Sequence, residues 1–154
     1  MIKILFICHG NICRSTMAES VMTYLVNQKH LSDRFFIASA ATSREEIGNP
    51  PHHGTVNRLR QAGIPLIPHR AVQMTKADYD KYDYLVGMDS ENIYYMERIT
   101  GQKGGKICKL MEFAGSGRDV ADPWYTHNFD VTFDDIMEGC SAMLQQLLRS
   151  VSYS

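Results

Sequence analysis

The chain of 154 residues has no excess of either charge, with sixteen Lys and Arg against seventeen Asp and Glu. Such balance leaves no electrostatic footprint for nucleic acid or an anionic membrane as partner. Long apolar runs are also missing. The longest, such as Ile4 to Cys8, has strand length and falls far short of the ~20 residues of a membrane span. The opening Met1-Ile2-Lys3-Ile4-Leu5-Phe6-Ile7 lacks a charged segment followed by a cleavable apolar one, so a cytoplasmic protein is expected. Cysteine is sparse. Cys8, Cys13, Cys108 and Cys140 contain no C-x-x-C pair, which disfavours structural zinc. They are also too few for a disulfide scaffold, and free thiols are expected. Repeats, low-complexity tracts and linkers are absent. What is present is ordinary globular composition, 44% hydrophobic and 21% charged. The length suits a single domain, 1–154, able to bury roughly two-thirds of its unfolded surface.

Strand and helix signals alternate along the chain. Ile2 to Cys8 is a run of β-formers without period-2 alternation, as in a strand buried on both faces. A loop, His9 to Ser15, leads into a helix with Ala18, Val21, Met22 and Leu25 on one face, capped by Ser15 or Thr16. Phe35–Ala41 reads as a second strand, and Thr42–Gly54 as a loop. Val56, Leu59 and Ala62 mark a helix ended by Gly63. Residues 64–72 read as extended, and Thr75 with Asp78 as a short capped helix start. Tyr84–Met88 reads as strand, Glu91–Ile99 as helix stopped by Gly101, and Lys106–Met111 as a fourth strand. Ala114–Asn128 is long and irregular, and such loops are usually functional. A last helix starts near Thr132 and carries an apolar stripe from Phe133 through Ile136, Met137, Cys140, Met143, Leu144, Leu147 and Leu148 to Val151. The pattern predicts an α/β three-layer sandwich: a four-stranded parallel sheet flanked by helices, with any ligand site at the carboxyl ends of the strands.

Cys8 would end the first strand, and Arg14 follows it in C-x5-R spacing with Ser15 next. A loop turning into a helix N-terminus can aim several backbone N–H groups at one centre, and the helix adds its positive end. Arg14 offers a planar fork for two oxygens of a tetrahedral anion. Gly10 and Asn11 tolerate the positive φ of a tight cradle. The field that holds an anion also favours the sulfur as thiolate, and Ser15 is placed to donate to it. A lone strand-ending cysteine is ordinarily a small core residue, but that leaves the neighbouring arginine and glycine unexplained. Asp122-Pro123 by itself would be a plain turn; its place in a long loop after the last strand makes it a candidate acid. For Ser39, His69 and Asp89 the residues alone suggest a strand position, a turn and a helix cap. His52-His53 has no acid or thiol at metal-ligand spacing, so a solvated loop and no metal are expected.

Three blocks, Cys8-His9-Gly10-Asn11-Ile12-Cys13-Arg14-Ser15, Met88-Asp89-Ser90-Glu91-Asn92 and Asp122-Pro123-Trp124-Tyr125, closely resemble the low-molecular-weight protein tyrosine phosphatases. The resemblance covers essentially the whole chain. It implies a phosphate-binding loop, His9 to Ser15, between strand 1 and helix 1. It also implies a metal-free, cofactor-free, two-step hydrolysis of phosphotyrosine and small aryl phosphates. By it Cys8 is the nucleophile, Arg14 binds the phosphoryl group, and Asp122 is general acid and then base. Asn11, Ser15, Ser39 and His69 brace the loop, and Asp89 orients Arg14. Cys13 matches a second loop cysteine that can pair reversibly with Cys8 under oxidation. The implied partners are phosphotyrosine-containing proteins, with inorganic phosphate as product and a monomer as the default.

Trp124, Tyr125 and Ile12 are expected to line a pocket deep enough for an aryl ring. Ile12 favours phosphotyrosine over phosphoarginine, since the related arginine phosphatases carry Thr there. Residues 74–92 hold no cysteine, against an arsenate reductase. Asp122-Pro123 with adjacent aromatics argues against a sugar phosphotransferase component, and the intact Cys8, Arg14 and Asp122 against a binding module without turnover. Three departures from the family pattern stand out. Glu45, with Glu46 beside it, replaces a common Trp and brings negative charge to the rim. Thr16 replaces a common Pro, and Trp124 a common Tyr.

Overall fold

The structure, a computed structural model, describes residues 1–152. The chain runs β1 (Ile2–Cys8), α1 (Arg14–Gln28), β2 (Phe35–Ala41), α2 (His53–Gln61), α3 (Asp78–Lys81), β3 (Tyr84–Gly87), α4 (Ser90–Thr100), β4 (Ile107–Lys109), α5 (Pro123–Thr126) and α6 (Phe129–Ser152). Short 3-10 turns cover Ser32–Arg34 and Leu110–Ala114. All strand pairs are parallel, in the order β2-β1-β3-β4. β1 is central: Ile2 to Cys8 pair with Phe35 to Ala41 on one side, and Ile4 to Ile7 with Tyr84 to Gly87 on the other.

The unbroken apolar run of β1 has a direct cause. Ile4, Phe6 and Cys8 face a core shared with Met17, Val21 and Met22 of α1 and with Ile136, Cys140, Met143 and Leu144 of α6. Leu5 and Ile7 face the opposite core, with Leu85, Met96 of α4 and Met74. A strand covered on both sides needs no polar alternation. The chain leaves β1 for β2 and then crosses to β3 on the other side. The topological switch point therefore lies at the carboxyl ends of β1 and β3, where open parallel sheets bind ligands. Cys8 and Asp89 stand there.

Several boundaries differ from the sequence expectation, among them the start of α2 at His53 inside the expected Thr42–Gly54 loop and the end of β3 at Gly87, one residue before Met88. The last strand stops at Lys109, because Glu112 Oε2 accepts the Lys109 N–H at 2.7 Å and the chain curls into a 3-10 turn that buries Leu110 and Met111. The segment after it is not irregular throughout: Asp122 caps α5, whose first residue is Pro123. The last helix starts three residues before Thr132, at Phe129, where Asn128 Oδ1 accepts from the N–H groups of Asp130 and Val131. α1 begins at Arg14 after Cys13, with no side-chain cap from Ser15 or Thr16. On the apolar stripe of α6, the side chain of Val151 lies outside the described residues.

Gly139 lets α6 sit close on the turn after β4. A Cβ there would lie 2.5 Å from Leu110 Cγ, a branch point that cannot swing aside. Gly139→Ala is expected to destabilise the protein by about 1–3 kcal/mol despite its better helix propensity. Denaturant melting checks this, and an unchanged midpoint would mean that the two elements separate freely.

Candidate active site

Asn11 fixes the geometry of the loop after β1. It is fully buried and left-handed, with φ 62°. Its Oδ1 accepts the Val72 N–H at 3.1 Å, and because a backbone N–H can only donate, the amide orientation is determined. Nδ2 then donates to Ser15 Oγ at 2.8 Å and to Ser39 Oγ at 3.0 Å. His69 Nε2 must carry a proton, since it donates to Asn11 Oδ1 at 2.6 Å. Burial lowers the pKa of this imidazole. Four partners hold a conformation that costs an L-residue energy when unsupported.

The same logic orients Ser15. Its Oγ accepts from Asn11, so its own proton is free for Cys8 Sγ, 3.0 Å away. The sulfur also accepts the N–H groups of Asn11 at 3.3 Å and Ser15 at 3.4 Å. Three donors at the positive end of α1 converge on one atom, an arrangement suited to a negatively charged sulfur. Ser15 does not cap the helix because it lies inside it, directly after Arg14, and its hydroxyl serves the sulfur.

Arg14 is almost wholly buried yet fully employed. Nη1 donates to Asp89 Oδ2 at 2.8 Å and to the Val120 carbonyl at 3.1 Å, and Nη2 to Asp122 Oδ2 at 3.3 Å. Burial opposes its charge, but Cys8, Asp122 and Asp89 more than offset that and raise its pKa. Asp89 also caps α4, accepting the Asn92 N–H at 2.7 Å in a reciprocal capping box. Both readings of Asp89, cap and arginine partner, therefore hold.

Arg14 and Asp89 line a cleft of about 510 Å³ together with His9, Gly10, Ile12 and Cys13 of the loop. Its other walls carry Glu45, Glu46, Asp119, Asp122, Trp124 and Tyr125. Trp124 and Tyr125 are 62% and 80% exposed, so most of each ring is open to solvent at the cleft wall. Glu45 Oε2 lies 2.9 Å from His9 Nε2, so the glutamate at the cleft rim is tied to the loop after β1. Cys13 is a free thiol whose pKa is pushed up to about 12, by burial first and then by the charges of Cys8 and Asp122. It stays protonated at neutral pH. Cys108 is also pushed up to about 12 by burial, and Cys140 is raised by burial.

Of the residues singled out from the sequence, His9, Gly10, Ile12, Cys13, Arg14, Glu45, Asp89, Asp122, Trp124 and Tyr125 line this cleft, while Cys8, Asn11, Ser15, Ser39 and His69 are joined to one another by the hydrogen bonds that hold the loop. His52 caps α2 through its imidazole, which accepts the Gly54 N–H at 3.0 Å, and its ring stacks on His53 and Phe129. Among the described residues no group of three or more His, Cys, Asp or Glu could hold a metal ion. Glu19 was missed. Its Oε1 accepts from Ser39 Oγ at 2.5 Å, and burial raises its pKa while that hydrogen bond lowers it. A lone acid among Met17, Ala18, Val21 and Met22, one turn after Ser15, was the available signal.

The family model for low molecular weight phosphotyrosine protein phosphatase matches residues 3–153. The chain belongs to this family. The low molecular weight protein-tyrosine-phosphatase YfkJ of Bacillus subtilis is 40% identical, covering 98% of this chain and 96% of YfkJ. The crystal structure of YfkJ matches with TM-score 0.93 and 38% identity, over 97% of this chain and 96% of that one. The low molecular weight protein tyrosine phosphatase SP-PTP from Streptococcus pyogenes gives 0.86 and 40%, over 96% and 93%. Drosophila arginine phosphatase gives 0.85 and 28%, over 95% and 98%.

Within this low-molecular-weight phosphatase fold, Thr16 has an energetic cost. Its hydroxyl is buried without a hydrogen-bond partner among the described residues. Thr16→Val removes the orphan group at constant shape. It is expected to stabilise the protein by about 1 kcal/mol with activity unchanged. A fall in Tm would show that the hydroxyl has a partner.

Proposed function

We propose that residues 1–154 form one phosphatase domain that hydrolyses phosphotyrosine in proteins, and small aryl phosphates, without a metal or cofactor. The observation that carries this reading is the convergence of three donors on Cys8 Sγ, with Arg14 linking that loop to Asp122. The Cys8 thiolate attacks phosphorus in line with the leaving oxygen. Loop N–H groups and the Arg14 fork hold the equatorial oxygens, on which charge is spread in the transition state. Arriving phosphate competes with Asp122 for Arg14 Nη2; the freed carboxylate takes up a proton from solvent and passes it to the departing phenolate. The P–O bond breaks and a P–S bond forms. Asp122, now deprotonated, takes a proton from water, which attacks the cysteinyl phosphate and releases inorganic phosphate and the thiolate.

Asn11, Ser15, Ser39 and His69 keep the loop in place, and Asp89 orients Arg14. Ile12, Trp124 and Tyr125 receive the aryl ring, with Glu45 at the rim. Proteins bearing phosphotyrosine are the partners, and the enzyme works as a cytoplasmic monomer. No helix among the described residues is long and apolar enough to cross a membrane.

The test measures phosphate release from a phosphotyrosine peptide in EDTA, with a phosphoarginine peptide in parallel. Turnover of phosphotyrosine is expected, with phosphoarginine the poorer substrate because Ile12 gives an apolar wall and no hydroxyl. Turnover of phosphoarginine alone would overturn the reading in favour of the sister activity, and a requirement for metal would overturn the mechanism.

A further inference from the structure

Ala121 immediately precedes Asp122, and α6 holds both of its backbone polar groups. Thr132 Oγ1 donates to the Ala121 carbonyl at 2.7 Å, and Asp135 Oδ2 accepts the Ala121 N–H at 3.2 Å. The two side chains are three residues apart on one helix face and both buried, Thr132 completely. The other Asp135 oxygen accepts from Arg118 Nη1 at 2.7 Å, while Arg118 Nη2 reaches Glu138 at 2.7 Å. Val120, one residue earlier, is fastened on the opposite side. Its N–H donates to the Met88 carbonyl at 2.9 Å, and its carbonyl accepts from Arg14. Four backbone groups in the two residues before Asp122 are thus held, two by α6 and two by the β3 end and the phosphate-loop arginine.

A loop left to itself would let a carboxyl group wander by more than the few tenths of an ångström that proton transfer tolerates. We propose that Thr132 and Asp135 are positioning residues for the reaction: they set where the Asp122 carboxyl group stands relative to the leaving oxygen, without touching substrate. The proposal rests on the reading of Asp122 as general acid. Its specific consequence concerns the leaving group. Protonation matters little when a weakly basic 4-nitrophenolate departs and much when phenolate does. Loosening this clasp therefore penalises phenyl phosphate more than 4-nitrophenyl phosphate. A variant that merely contains less folded enzyme loses both equally.

The experiment compares kcat/KM on these two substrates for Thr132→Val, Thr132→Ser, Asp135→Asn and Asp122→Asn. Asp122→Asn is expected to lose roughly 10²-fold or more on phenyl phosphate and far less on 4-nitrophenyl phosphate. Thr132→Val and Asp135→Asn are expected to show the same selectivity at about ten-fold, a part of that contribution. Thr132→Ser, which keeps the hydroxyl, restores the wild-type ratio. If Asp122→Asn is selective while Thr132→Val is not, the clasp proposal is overturned and the acid stands. If Asp122→Asn shows no selectivity, the assignment of the acid fails and the proposal with it. Should Asp135→Asn not fold, the isosteric Thr132→Val and its serine control decide alone.

Discussion

Cys8→Ser is expected to abolish turnover of phosphotyrosine, a loss on the order of 10⁶-fold, the scale on which removing a nucleophile is felt. The substitution is nearly isosteric and the site is buried, 3% exposed, so the fold should persist. What disappears is the atom that three donors serve. Ser15 Oγ, Asn11 N–H and Ser15 N–H are placed around a sulfur that can carry negative charge. A serine hydroxyl at the same position stays protonated, and its own proton competes with Ser15 for the same line. Binding should survive, because Arg14 and the loop N–H groups remain. The expected signature is a phosphotyrosine peptide that still binds by calorimetry and releases no phosphate. Residual turnover within a hundred-fold of wild type would mean that another group attacks phosphorus.

The contrast between what the sequence discloses and what it hides follows from chain distance. Cys8, Asn11, Arg14 and Ser15 lie within eight residues, so a local spacing carries their chemistry. β1 and β2 were legible to the residue, since burial on both faces removes polar alternation along all of β1. Asp89 was legible as a cap, and the crossover that brings β3 beside β1 turns the same carboxylate toward Arg14. The fourth strand was legible between Lys106 and Met111, but its end at Lys109 was not. A short apolar run has no period that separates strand from 3-10 turn, and the Glu112 side chain decides by taking the Lys109 N–H. The grip on Ala121 was invisible for another reason. Thr132 and Asp135 read as polar residues at a helix start, and only the packing of α6 shows that they hold the backbone just before Asp122. Glu19 falls between these cases: its position in an apolar helix face was readable, while its partner Ser39 lies across the helix–sheet interface.

Arg14→Lys keeps the charge and should still lower kcat/KM by about 10³- to 10⁵-fold, the range associated with an arginine that stabilises a transferring phosphoryl group. The reason lies in shape. One planar guanidinium here reaches the Asp89 carboxylate, the Val120 carbonyl and the Asp122 carboxylate from two nitrogens, and it does so at 3% side-chain exposure. An ammonium group is a compact point charge on a flexible stem and cannot reproduce that fork. Phosphate affinity should weaken less than turnover, because the loop N–H groups still bind the ground state, whereas the equatorial charge of the transition state has lost its matched partner. A second consequence separates geometry from charge. Arg14 also holds the Val120 carbonyl, so lysine should disturb the backbone that carries Asp122. The penalty on phenyl phosphate should then exceed that on 4-nitrophenyl phosphate. A uniform loss on both substrates would confine Arg14 to phosphate binding. A loss below ten-fold would show that charge alone, without the fork, suffices.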